Sequence, residues 1–372
     1  MASLLHNLLL DLKRRGDCLL KELAALDSLS PDFQSHQASV VARITRATTA
    51  VERMLRDPDL SDPQLEPNFF IDFKRLSELI LNVEDSSLLI LKRCSEDDRF
   101  LSSLLQQMCR EVGYQDAPPL CGALSFQYFQ ALIGMDIIMT PQTQAYELLS
   151  LPDLYHELAH FVVFRQRDAF EVAVLTLIHQ FFNDALRKGQ QQGLPQASLD
   201  TIREGLVLWT GDWQVEFTCD MIATFWCGPS YGWANLRLSA TRGDPYQDSA
   251  THPADDARKA GIECMLKLTG QSAPAGEIDA RWLDLKRLSP SMQPPGYTKR
   301  YPTGLLERLA QYVYDACVAT RFHSFAEQQN AHDAFVSRTV SQAWTSFEKD
   351  ATAFANYEAS ALQSLKAHLG TT

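Results

Sequence analysis

The sequence predicts a mainly α-helical protein with one small β-sheet, an α+β chain. Apolar residues recur at helical spacing over long stretches at both ends of the chain, and only residues 124–141 alternate as strands do. Clusters rich in Pro and Gly separate the periodic stretches.

The first 56 residues read as a helical hairpin whose helices part at Ser28–Asp32. In its second helix Val40, Val41, Ile44, Val51, Met54 and Leu55 mark one face, and Arg43, Arg46 and Arg53 are available for the other. Such a hairpin packs on the rest of the chain or offers a surface for self-association or a partner. Asp57–Asn68, with three prolines, is a linker opening a second helical region, 57–115, which Ala117, Pro118 and Pro119 close. In the third region, 116–270, the strand pattern covers Leu124–Leu132, around Phe126, Tyr128 and Phe129, and then Met135–Met139. Helices follow at Leu154–Phe164, with Pro152 and Asp153 as first-turn and cap residues, at Phe170–Leu186 and at Arg203–Cys227. Residues 271–300 read as an irregular connection, and 301–372 as C-terminal helices that bury Trp344, Phe347, Phe354 and Leu362.

Composition narrows the function. At 372 residues the chain can bury a sizeable core, and a net charge of -12 argues against a nucleic-acid partner, which requires a basic face. No stretch reaches the roughly 18 uncharged apolar residues of a membrane span, so no membrane insertion is expected. Asp11, Lys13, Arg14 and Arg15 follow the first leucines instead of preceding them, unlike a signal peptide. Eight scattered cysteines without a Cys-x-x-Cys pair suit free thiols in a reducing compartment, so a cytoplasmic location is expected.

The chemistry begins at His156-Glu157-Leu158-Ala159-His160. On a helix the i and i+4 positions share a face, so His156 and His160 can hold one Zn²⁺ while Glu157 serves as general base toward water. A catalytic zinc needs a third protein ligand and an open position. Val163 and Gln166 stand where the extended His-Glu-x-x-His-x-x-Gly-x-x-His pattern requires Gly and His, so the third ligand lies elsewhere.

Glu216 is the candidate, with Asp220 one turn later to support a ligand histidine. Trp209, Trp213, Phe217, Met221, Ile222, Phe225 and Trp226 make their helix apolar all round, and buried carboxylates want a metal or a partner. Asp168, Glu171 and Glu204 are fallback ligands. Oxyanion donors could be His252, Tyr231 or Tyr246, the tyrosines doubling as substrate-binding candidates. Trp226, Trp233 and Phe129 are candidates to line the cleft.

With these blocks in order, the chain resembles the HtpX-type and CAAX-prenyl-protease-like gluzincins over roughly residues 120–268. The shared pattern is His156–His160, then Glu216–Ala223, then Thr251-His252-Pro253 with Arg258 downstream. The resemblance implies a zincin-like catalytic unit, with a small sheet whose edge strand pairs with extended substrate, flanked by N- and C-terminal helical regions. It implies one zinc on His156, His160 and Glu216, Glu157 as base and Asp220 in support. It also implies that His252 and Arg258 shape the site or stabilise the oxyanion. Lacking a spanning segment, the chain more closely resembles the soluble members. The expected activity is endopeptidase cleavage of a protein or peptide. The alternative is a latent or non-cleaving zinc-binding helical regulatory protein.

Overall fold

The computed structural model describes residues 4–27, 29–125 and 128–371; Phe126, part of the expected strand pattern, lies outside them. The fold is mainly α-helical with one three-stranded sheet. It divides into two compact units, Met1–Ser103 with Pro119–Ala145, and Leu104–Pro118 with Tyr146–Thr372.

In the first unit, α1 (Leu4–Ala24) and α2 (Pro31–Arg56) pair through Leu5, Leu9, Leu12, Leu19 and Leu23 on one side and Val40, Ile44 and Val51 on the other. Gly16 permits their close approach, because a Cβ there would collide with the Thr48 methyl group. After a short 3₁₀ turn at Pro58–Ser61 come α3 (Glu66–Asn82), a π turn at Val83–Leu88, α4 (Leu89–Arg93) and α5 (Glu96–Val112), whose residues from Leu104 on belong to the second unit.

Strands β1 (Leu120–Ser125), β2 (Gln130–Leu132) and β3 (Ile137–Pro141) are ordered β1-β3-β2. β3 pairs in parallel with β1, Leu120 opposite Ile137, and antiparallel with β2, Gln130 opposite Met139. The expected single run Leu124–Leu132 is therefore two strands, with the register shifting between Gly122 and Ser125. The sheet belongs to the first unit and the motif helix to the second.

The second unit continues with α6 (Pro152–Arg165), α7 (Ala173–Gln191), α8 (Gln196–Leu208), α9 (Gln214–Cys227), α10 (Pro229–Arg242) and α11 (Asp255–Leu268). It ends with α12 (Ser272–Leu288), α13 (Tyr297–Arg300), α14 (Thr303–Ala319), α15 (Phe325–Asn330), α16 (Phe335–Lys349) and α17 (Phe354–Leu369). α6 packs on α9, and α9 in turn on α11 and α14.

Two expectations are corrected here. The helix expected over Arg203–Cys227 is broken at Gly211, whose φ of -89° and ψ of -141° are not helical, so α8 and α9 are separate. The connection expected at 271–300 contains the four-turn helix α12; Pro274 sits in its first turn, where the missing N–H costs nothing. Among the described residues no helix is long and apolar enough to cross a membrane.

Candidate metal centre

α6 starts with Pro152 in its first turn, and the residue before it, Leu151, supplies no side-chain cap. Asp153, expected as the cap, lies inside the first turn instead. There burial pushes its carboxyl up to about 6 against the pull of His156 and Arg237. Ten of the helix's residues are buried, including His156 and Glu157. α9 is more enclosed still: only Val215 escapes full burial, as the apolar ring around Glu216 and Asp220 predicts. Trp209 stacks on Phe217 at 4.4 Å and Trp213 on Tyr301 at 4.9 Å, fixing the start of α9.

Packing α6 on α9 gathers the donor atoms. The Nε2 atoms of His156 and His160 are 3.2 Å apart. One Glu216 oxygen is 3.4 Å from His156 Nε2 and the other 3.6 Å from His160 Nε2. Tetrahedral zinc with bonds near 2.0–2.1 Å separates its ligand atoms by about 3.3 Å, so the three donors have the spacing of a zinc ligand set. Donor atoms of His156, Glu157 and His160 also lie within 4.8 Å of one another, which puts the Glu157 carboxylate beside the two imidazoles.

Behind the ligands lies a second layer. His156 turns Nδ1 to Asp220, at 3.0 Å, and to the Tyr231 hydroxyl, also at 3.0 Å. That hydroxyl donates to Asp220 as well. Arg258 grips Asp220 with two bonds, 2.8 Å from Nε and 2.6 Å from Nη2, and its Nη2 stands 3.8 Å from Glu216. This chain fixes the ring of His156 so that Nε2 faces Glu216 and His160.

The cluster is short of positive charge. Glu157, Glu216 and Asp220 are all buried, and the one buried guanidinium among the described residues, Arg258, is committed to Asp220. The surplus carboxylate charge suits a dication. Protonation shows the same demand. Burial opposes charge on His156, yet Asp220 and Glu216 hold its imidazolium so strongly that its pKa rises to about 10. His160, desolvated and beside a charged His156, falls to about 4. Glu216 and Asp220 stay ionised despite burial, Glu216 through His156 and Asp220 through Arg258.

The structure thus brings together His156, Glu157, His160, Glu216, Asp220, Tyr231 and Arg258. Tyr231, a candidate for touching substrate, is 2% exposed and is committed to His156 and Asp220. Arg258, a candidate for the oxyanion, is 4% exposed and holds the carboxylates. Tyr246 packs edge-on against Tyr297 with Lys286 over its ring, and no bond joins it to the cluster among the described residues. His252 is exposed and bonds Thr251 and Ser249. Its segment forms a turn leading into α11, and that helix carries Arg258 inward. Trp226 is fully buried against Phe322, away from any cleft role. Of the fallback ligands, Glu171 pairs with Arg167 and Glu204 is exposed.

No cue in the sequence marks Tyr231 as the partner of Asp220; only the return of α10 against α6 and α9 makes it one. Comparison with protein-family models, with curated proteins and with solved structures finds no match to the chain.

Proposed function

We propose that the protein is a zinc-dependent endopeptidase of gluzincin type, working in the cytoplasm on a protein or peptide. One observation carries the reading: the donor triangle of His156, His160 and Glu216 with Glu157 beside it. Zinc, when bound, supplies a Lewis acid for the scissile carbonyl and lowers the pKa of water toward ~7.

The chain's own residues do the rest. Glu157 takes a proton from the attacking water as its oxygen bonds the carbonyl carbon. It then passes that proton to the amide nitrogen as the C–N bond breaks. Asp220 and Tyr231 keep His156 in one orientation throughout, and Arg258 keeps Asp220 ionised. The cysteines, scattered in the sequence without a Cys-x-x-Cys pair, favour a reducing compartment in this reading.

The test is metal content together with Glu157→Gln. Protein purified under metal-replete conditions should carry one zinc per chain, lost in His160→Ala, and the glutamine variant should keep zinc while casein hydrolysis stops. Zinc-free protein would sink the reading; persistent hydrolysis in the glutamine variant would sink the assigned base.

A second reading, a latent or non-cleaving zinc-binding regulatory protein, is favoured by burial: His156, Glu157 and Glu216 are each less than a tenth exposed. It expects zinc at the same stoichiometry and no turnover of casein by the unmodified chain.

A further inference from the structure

Helix α3 turns to solvent a face that the first unit leaves uncovered. The helix is rich in large apolar residues, yet only Ile80 is buried, and Phe69, Phe73, Leu76 and Leu79 are partly buried against the core beside it. Phe70, Ile71 and Leu81 stay in water, 45%, 64% and 46% exposed. Phe70 stacks on Phe73 with ring centroids 5.8 Å apart, which holds it beside the uncovered face.

At about 100° per residue, the middle of that face is formed by Ile71, Lys74, Glu78 and Leu81, all of them exposed. Their spacing of three, four and three residues is that of a coiled-coil seam, which repeats about every 3.5 residues. The order of chemistry along the seam is apolar, cationic, anionic, apolar. Laid antiparallel on a second copy, about a two-fold axis level with Leu76, the seam sets Ile71 opposite Leu81 and Lys74 opposite Glu78, each twice. A parallel pairing sets Lys74 against Lys74 and Glu78 against Glu78. Arg75 lies at the rim, where solvent and salt screen it.

The charges point the same way. Elsewhere in this unit surface charges find partners, Lys13 with Asp17, Arg15 with Glu84 and Lys92 with Glu22. Lys74 and Glu78 make no ion pair or hydrogen bond among the described residues, although they stand one turn apart. Lys before Glu is the less favourable order for pairing within a helix. A second copy supplies each of them with an opposite charge.

We propose that the protein forms an antiparallel homodimer through α3. Ile71 and Leu81 close the two ends of the seam, and two Lys74–Glu78 pairs between them fix direction and register. Charged layers inside a seam lower its stability but reject registers that leave them unpaired. A seam of this length buries on the order of 1,000 Å², below the standard size of stable interfaces, so the dimer is reversible and concentration-dependent. The inference does not depend on the metal reading, since α3 belongs to the first unit and the His156 cluster to the second.

The test is sedimentation velocity on the full chain from micromolar to millimolar concentration. A monomer–dimer equilibrium is expected, weakened at least about tenfold by Lys74→Glu and by Glu78→Lys, each of which turns two attractions into two repulsions. An equimolar mixture of these two variants should dimerise again, because one chain brings two carboxylates and the other two ammonium groups. The double variant Lys74→Glu/Glu78→Lys should associate like the unmodified chain, and Ile71→Asp, folded by circular dichroism, at least about tenfold more weakly. A chain that stays monomeric at millimolar concentration leaves the face to a different partner and would overturn the dimer. Unchanged association in Ile71→Asp or in either single charge variant, or a mixture no tighter than its components, would overturn it as well.

Discussion

Around α1 and α2 the first unit buries side chains that carry no charge, from Leu5 to Leu23 and from Val40 to Val51. Around α6, α9 and α11 the second unit buries the carboxylates of Glu157, Glu216, Asp220 and Asp255, the cations of Arg258 and Lys259, and the His156 imidazole in contact with a half-buried His160. The first arrangement is stabilised by removing apolar surface from water, roughly in proportion to area. The second gains little from area and stands or falls on whether each charge keeps its partner. On the proposed zinc reading, one chain holds a region indifferent to metal and a region whose integrity depends on it.

That contrast can be broken in several places. The largest effect is expected from Glu157→Gln, which should lower peptide hydrolysis by about 10²–10⁴-fold with stability nearly unchanged, read by casein turnover and zinc content. Asp220→Ala strands Arg258 in the interior and should cost about 3–5 kcal/mol in chemical denaturation, with about 10–100-fold weaker metal binding. Ile44→Ala, in the aliphatic core, should cost about 2–5 kcal/mol and leave zinc stoichiometry untouched.

His36 offers a smaller test through pH. Burial lowers its pKa to about 4 from 6.5, Asp136 opposing and Arg43 assisting, and its Nε2 has no hydrogen-bond partner. The unfolded chain therefore takes up the proton first as pH falls. Stability present above pH 6.5 should decline from there to about pH 4, by on the order of 2–3 kcal/mol. In His36→Leu the urea midpoint should lose that slope. Smallest is Tyr231→Phe, expected to cost about 0.5–1.5 kcal/mol and to loosen zinc without abolishing it. If metal removal lowered amide protection around α1 and α2 as much as around α6 and α9, the contrast between the units would fail.

What the sequence disclosed follows the range of each interaction. His156 and His160 are four residues apart, so helical geometry alone places them on one face. Glu216 and Asp220 were legible for a related reason: surrounded by Trp213, Phe217 and Met221, they had to be buried and hence partnered. Tyr231 is a candidate donor in the sequence and Arg258 enters only through the family resemblance; their bonds to Asp220 arise from helices meeting in space, which no local pattern encodes. His252 drew attention through its tripeptide, yet hydrogen bonds to Ser249 and Thr251 use it to shape a turn. Gly211 and Pro274 misled in opposite directions. The glycine broke a helix that apolar periodicity had joined, and the proline began one that composition had dissolved.

The burial of His156, Glu157 and Glu216 also bears on time. On the proposed zinc reading, two of the three ligands, His156 and Glu216, are less than a tenth exposed and His160 only somewhat more, so exchange of the ion should follow the frequency with which α6 and α9 part locally. Loss of zinc to a chelator should then reach a ceiling rate that more chelator does not raise, and warming should lift the ceiling steeply. Possession of the metal would be governed by kinetics, with the protein keeping whichever ion was enclosed when the two helices closed.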